Sequence, residues 1–345
     1  MIFAKNLYLF LILILVNTFL IKNYFILSKK INLFDIPNNS RKIHNQPIPL
    51  LGGILIFFNF FLFFFYEFFF TFKVHLSDTF FLEDYFLNSR KDIFSFIFTF
   101  LGLFLLGYVD DKINLDPFKK LMVFFLLFYF FFQTNNFLVI ENINLRSFDF
   151  SFNLGALSLF TSIIFYIFFI NSINMLDGIN GLAGLTALNI FIFFYLKSFM
   201  PVLAIALIIT IIFFLILNLQ GKIFLGDSGS YILAFLIGYF FITSYKIDLL
   251  KLDEIFLLCF IPILDSIRLF LFRIFKTGKP WAADDNHLHH LLLKKYKYSC
   301  VLLIFFTIMS ISLLILLFLK LNFYLVILLP ISIYILLYSY LIINK

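Results

Sequence analysis

From Leu7 to Ile343 the chain returns repeatedly to apolar stretches near the length a helix needs to cross a bilayer, about 20 residues. Eleven are marked off by polar interruptions, at roughly 7–26, 53–72, 93–109, 121–137, 154–170, 182–197, 202–217, 231–245, 255–272, 301–318 and 323–343. In hydrocarbon every backbone N–H and C=O must find its partner within the protein, and a single apolar stretch does this only as a helix. The pattern therefore predicts an all-α polytopic membrane protein of about eleven transmembrane helices. The sixth and seventh are separated only by a short link at Lys197–Pro201, which also allows a re-entrant pair. Composition excludes a soluble globule: 63% of the 345 residues are hydrophobic and 13% charged, with mean hydropathy +1.05. A soluble core of this size would still leave about a quarter of the unfolded chain's surface in water. Cys259 and Cys300 lie in apolar surroundings and read as structural thiols, and the 58 phenylalanines as lipid-facing filler.

A net charge of +7 in such a chain records orientation and attraction to anionic lipid rather than nucleic-acid binding. The odd-numbered loops between the eleven stretches hold fourteen basic residues and the even-numbered loops eight. By the positive-inside rule the odd loops are cytoplasmic, the N-terminus outside and the C-terminus cytoplasmic. One Lys precedes the first apolar run and no small-residue cleavage pattern follows it, so that run is expected to be retained. No low-complexity linker or soluble insert interrupts the series, and residues 1–345 read as one integral membrane domain. Alternation of apolar and polar residues over 138–153 predicts a small hairpin on the outer face.

The unusual polar residues gather in the odd loops: DIPNNSRKIHNQPIPLLGG (35–53), GYVDDKINLDPFKK (107–120), NSINMLDGINGL (171–182), NLQGKIFLGDSGS (218–230) and PWAADDNHLHH (280–290). Asp110 and Asp111 close the third stretch, and consecutive helical residues point about 100° apart, so the two carboxylates face different directions. Lys120 opens the next stretch on the same side, where a lysine ordinarily serves topology and lipid anchoring and can also stand as a fixed cation for a phosphate. Asn174, Asp177 and Asn180 stand three apart, along one face of a helix or helical turn, with Gly178 and Gly181 allowing close approach. Asp227 lies between glycines at the start of a span, a layout that aims a carboxylate and free N–H groups at a metal or anion. His287, His289 and His290 crowd four positions without the ligand spacing of structural zinc, which favours phosphate or sugar binding. Asp265 and Arg268 read as a mainly structural pair. Carboxylates, amides, Lys and His on one membrane face suit phosphoryl transfer, where the protein chiefly positions charge. A transporter or lipid flippase would instead place its polar groups near the midplane.

GYVDDK with Lys120, NSINMLDGINGL, LGDSGS and HLHH, in this order and spacing, resemble the polyprenyl-phosphate N-acetylhexosamine-1-phosphate transferases over residues 35–290. The resemblance implies transfer of a sugar 1-phosphate from a UDP-N-acetylhexosamine to undecaprenyl phosphate at the inner face of the bacterial cytoplasmic membrane, with Mg²⁺ (or Mn²⁺) and release of UMP. It implies Asp110 and Asp111 as the catalytic pair, with Asp177 orienting metal or nucleotide. Asp227 and Asn174 would hold the metal. Lys120, His287, His289 and His290 would neutralise phosphate charge, Asn180 would bind uracil, and Asn218 is a further substrate-binding candidate. Position 180 is Asn where many bacterial members have Asp, which excludes a base there but leaves hydrogen bonding to uracil. Asp285 follows Asp284 where an Arg is frequent. The sibling branch that transfers phospho-N-acetylmuramoyl-pentapeptide carries TPTMGG and consecutive histidines; here PIPLLGG and HLHH favour the hexosamine without the peptide. The sequence leaves a homodimer open.

Overall fold

The structure is a computed structural model that describes residues 6–37, 46–71, 89–146, 150–278, 286–319, 322 and 324–343. In chain order the elements are α1 (Leu7–Lys22), α2 (Tyr24–Ile31), β1 (Phe34–Asp35), β2 (Ile48–Pro49), α3 (Gly52–Thr71), α4 (Arg90–Ile113) and α5 (Pro117–Thr134). There follow β3 (Asn142–Leu145), β4 (Phe150–Asn153), α6 (Ser158–Leu176), α7 (Leu182–Leu196), α8 (Pro201–Asn218) and α9 (Gly226–Lys246). The chain ends with α10 (Leu252–Thr277), α11 (Leu288–Leu293), α12 (Tyr298–Phe318) and α13 (Leu329–Ile343).

Among the described residues nine helices are long and apolar enough to cross a membrane, or ten if α1 and α2, bent by 73° at Asn23, form one span. The chain is thus a multi-pass helical membrane protein, with fewer full-length spans than the eleven expected. The difference lies in the bent pair α1–α2 and in α7, whose 15 residues reach only about 22 Å against a hydrocarbon core of about 30 Å; α13 is lengthened by a preceding wide helical turn, so that its span runs Leu325–Ile343. The expected hairpin is present: β3 and β4 pair antiparallel from Asn142 opposite Asn153 to Leu145 opposite Phe150. Arg146 beyond it bonds Glu254 at 2.9 Å.

The chain divides into two compact units interleaved in sequence, Met1–Asn136 with Ile190–Ile237, and Phe137–Asn189 with Gly238–Lys345. In the first, α4 packs on α5, and α1, α3 and α8 pack on one another. Its interior corrects part of the reading of phenylalanine as lipid-facing filler. Phe60, Phe63, Phe96, Phe100, Phe128, Phe131 and Phe132 are almost fully buried. Phe60 meets Phe100 at 4.4 Å between ring centroids, Phe57 meets Phe104 at 4.1 Å and Phe96 meets Phe235 at 4.9 Å. Lipid tails are as apolar as these rings, so helix association gains instead from ring-to-ring packing. Other phenylalanines stay exposed, among them Phe58, Phe65 and Phe69 on α3, Phe94 and Phe98 on α4, and Phe118 and Phe125 on α5.

In the second unit α10 packs on α6, α12 and α13, around a core that includes Leu182, Ile261, Leu288, Val301, Phe305 and Tyr334. Pro262 lies inside α10, and at Cys259 the backbone leaves the helical region (φ −135°). A helical proline lacks an N–H and crowds the preceding turn, which breaks the run locally.

Buried amides fix helix register in the first unit. Asn17 of α1 donates to Asn59 Oδ1 at 2.7 Å, and Asn59 of α3 donates back to Asn17 Oδ1 at 3.0 Å. Replacing Asn59 by Leu strands the Asn17 amide and is expected to lower stability by about 1 kcal/mol in a detergent unfolding titration. The double variant Asn17→Leu/Asn59→Leu is expected to recover most of that loss; equal destabilisation of both would refute the pairing as the cause.

Candidate functional site

Each unit carries one polar cluster. In the first it begins at the end of α4, which closes on Asn114 in the left-handed conformation with its N–H on Asp110 O. Asn accepts that conformation more readily than most residues. The next helix starts at once. Asp116 caps α5 by accepting from Phe118 and Lys119 N–H, and Pro117 occupies the first helical position, where a missing N–H costs nothing. This tight turn brings Lys120 back onto Asp110, Nζ to Oδ2 at 2.6 Å. Tyr231 of α9 donates its hydroxyl to the same oxygen at 2.8 Å, and Leu115 N–H donates to Oδ1 at 2.8 Å. Asp110 is buried, at 1% exposure, and both its oxygens accept.

Asp111 points elsewhere, as the helical step requires. Its Oδ1 accepts Asp227 N–H at 2.7 Å, and its Oδ2 accepts Ser228 N–H at 3.1 Å and the Ser228 hydroxyl at 2.9 Å. The carboxylate therefore sits on the N-terminus of α9, where free N–H groups and the helix dipole favour an anion. Gly226 just ahead has φ +74°, and a Cβ there would lie 2.8 Å from Asp111 Oδ2. One turn earlier on α4, a Cβ on Gly107 would run into the Ser228 backbone. The segment entering α9 is held from behind: Phe224 N–H bonds Pro49 O at 2.9 Å, while Gly52 and Gly53 N–H bond Phe224 O and Leu225 O, each at 3.0 Å. Asn218, expected to contact substrate, is buried and donates its amide to Ile223 O at 2.9 Å, so it secures this loop. Asp227 is half-buried with its carboxyl group beside those of Asp110 and Asp111.

The three carboxylates, with Lys120 beside them as a cation and not a ligand, offer hard oxygen donors that suit Mg²⁺ by ligand type. Among the described residues no group of three or more His, Cys, Asp or Glu is arranged to hold a metal by itself. Mg²⁺ commonly binds through one or two carboxylates completed by water and substrate phosphate, so the fit is to a metal brought or completed by a phosphate ligand.

The second cluster starts where α6 ends. Asn174 lies in its last turn, Asp177 caps it with an N–H on Asn174 O, and Asn180 follows in the turn before α7. The three expected along one helix face are thus divided between a helix end and a turn, because the helix stops at Leu176. The Asn180 carbonyl accepts the Tyr298 hydroxyl at 2.8 Å. A Cβ on Gly178 would strike the imidazole of His289. Beyond the α10 kink, Asp265 Oδ1 accepts Arg268 Nη2 at 2.7 Å and the Tyr334 hydroxyl at 2.8 Å, and its Oδ2 lies 3.1 Å from His287 Nδ1. Leu288 N–H reaches both oxygens at 3.2 Å. Asp284, Asp285 and residues 38–45 of the first polar loop lie outside the described residues.

The three histidines differ. His287 bonds Asp265, and His290 is half-buried, its ring centroid 4.3 Å from that of His289. His289 is buried, and its Nε2 has no hydrogen-bond partner. Burial first, then the neighbouring His290 and His287, hold its pKa down to about 3. The ring is neutral near pH 7, so it can offer a hydrogen bond but not the positive charge expected of it.

Tyr231, Ser228, Tyr334 and Tyr298 were not singled out in the sequence. Tyr231 could have been, since it stands four residues after Asp227 and so on the same helix face. Tyr334 carries no local signal.

The family model described as glycosyl transferase family 4 matches residues 93–245, from the start of α4 nearly to the end of α9. The chain is 26% identical to the undecaprenyl-phosphate alpha-N-acetylglucosaminyl 1-phosphate transferase of Haemophilus influenzae, over 78% of this chain and 74% of that protein. It is 29% identical to the protein of the same name from Pasteurella multocida, over 78% and 73%. The similarity found along the chain is thus to the same group of proteins that the motifs resemble.

Two consequences follow for stability. Gly226→Ala forces a Cβ against Asp111 at a positive φ and is expected to lower the free energy of unfolding in detergent by about 1–3 kcal/mol; unchanged stability would place Asp111 elsewhere. For His289, the unfolded chain binds a proton near pH 6.5 that the folded ring takes up only near 3, so stability is present above that window and falls as pH drops through it. Between pH 8 and pH 5 this contributes about 2 kcal/mol of loss, which His289→Gln should remove when unfolding is compared at the two pH values.

Proposed function

We propose that the chain transfers an N-acetylhexosamine 1-phosphate, GlcNAc first among candidates, from a UDP-sugar to undecaprenyl phosphate, releasing UMP and starting a cell-surface glycan. The observation that carries this is the first cluster: Asp110, Asp111 and Asp227 converging with Lys120 where α4, α5 and α9 end or begin. The names of the two relatives support the acceptor and the sugar.

The reaction would be in-line attack by a lipid phosphate oxygen on the β-phosphorus of the donor, with UMP leaving. A phosphate monoester has a second pKa near 6, so much of the nucleophile is already dianionic at neutral pH and no general base is demanded. Mg²⁺, when bound, would draw charge from the diphosphate. Asp227, with Asn174 as the second expected ligand, would hold it. Lys120, braced by Asp110, would meet a phosphate oxygen. Asp111 fixes the first turn of α9 and thereby the place of Asp227. Asp177 and Asn180 would serve the nucleotide, the latter through its amide, and His287 and His290 the phosphate charge.

Purified protein with undecaprenyl phosphate, Mg²⁺ and a panel of UDP-sugars is expected to release UMP from one donor, dependent on lipid and abolished by EDTA. Asp111→Asn should lower turnover by at least about 100-fold. Silence with every donor in folded protein, or full EDTA-sensitive turnover by Asp111→Asn, would refute the proposal or that role respectively.

A further inference from the structure

We propose that Asp265 is a positioning residue that fixes the His287 imidazole through a proton on Nδ1, leaving Nε2 as the position that, protonated in the charged ring, donates to an anionic ligand. The identity of that anion, a phosphate of the donor or the lipid, rests on the transfer reaction proposed above; the positioning does not.

Asp265 is more than half of a surface ion pair. It is buried, and its carboxylate collects four donors: the Arg268 guanidinium, the Tyr334 hydroxyl, the Leu288 N–H and His287 Nδ1. These come from α10, α13 and the start of α11. An ionised carboxylate accepts only, and three of these donors cannot act as acceptors toward it or already donate. Nδ1 at 3.1 Å from Oδ2 must then carry a proton. In imidazole the hydrogen bond at one nitrogen sets the state of the other, so Nε2 becomes a free acceptor when the ring is neutral and a donor when it is charged.

The backbone on either side of His287 is clamped by the same pair. Arg268 Nη2 holds Asn286 O at 2.6 Å, and Asp265 holds Leu288 N–H. Arg268 is in turn oriented by Nε on the Tyr334 hydroxyl at 2.8 Å and by the Tyr338 ring, 4.5 Å away. A residue needed only to start a six-residue helix would require the Leu288 contact alone. The further grip on Asn286 and on the ring itself is what presenting His287 in one orientation requires. Partners that orient a functional imidazole in this way typically change affinity or activity by about 10- to 100-fold when removed.

The test uses the full chain in detergent at pH 8 with ¹⁵N-labelled histidine, read by side-chain ¹⁵N–¹H correlation and assigned with His287→Gln. The wild type is expected to show the His287 proton on Nδ1. Asp265→Asn should lose it or move it to Nε2, whereas Asp265→Glu and Tyr334→Phe should keep it. A wild-type ring protonated on Nε2 alone, or an unchanged tautomer in folded Asp265→Asn, overturns the proposal. In the transfer assay Asp265→Asn should lower kcat/KM about 10- to 100-fold, with part restored by Asp265→Glu. If the wild type transfers nothing, the proposed reaction falls, and the tautomer still decides the role of Asp265.

Discussion

The helix α9 begins where a carboxylate from another helix meets its first N–H groups. In an apolar bundle neither partner survives alone: an ionised carboxylate away from water needs donors, and a helix start leaves backbone N–H groups without acceptors. Asp111 answers both needs with two backbone N–H groups and the Ser228 hydroxyl. The glycines follow from that contact. Gly226 turns the chain through a conformation that L side chains resist, and Gly107 lets the backbone of α4 come close enough for the carboxylate to reach. Lys120 and Tyr231 then find Asp110 because α4 and α9 are already tied one residue away. The second unit repeats the device at smaller scale, with Asp265 accepting the first N–H of α11.

Much of this was legible in the sequence because it is local. The divergence of Asp110 and Asp111 follows from the helical step. The turn that returns Lys120 follows from an Asp–Pro helix start, and the hairpin from alternating polarity. What was not legible depends on atoms far apart in the chain. Tyr334 reaches Asp265 across 69 residues, so the pair Asp265–Arg268 looked self-sufficient. His289 looked like its neighbours, and only the missing side chain of Gly178 makes room to bury it. The buried phenylalanines were misread, while others do face outward, because a side chain facing lipid and one facing another helix satisfy the same hydropathy. Only packing separates them.

The saturation of Asp110 bears on the chemistry. Its two oxygens already accept from a backbone N–H, a lysine and a tyrosine, and to take a proton from a substrate it would have to give up one of these. Asp111 is likewise occupied by a helix terminus. Asp227 is half-buried, and its own carboxyl group is tied only to a side chain, that of Asp110, rather than to backbone N–H groups. The cluster thus has the form of two anchored charges that place a third, with Lys120 held between a buried carboxylate and whatever anion approaches it. Such an arrangement holds charge in a fixed geometry and moves protons poorly. A reaction whose nucleophile is already an anion needs the first property and not the second, which is why phosphoryl transfer fits the site better than a chemistry that begins with deprotonation.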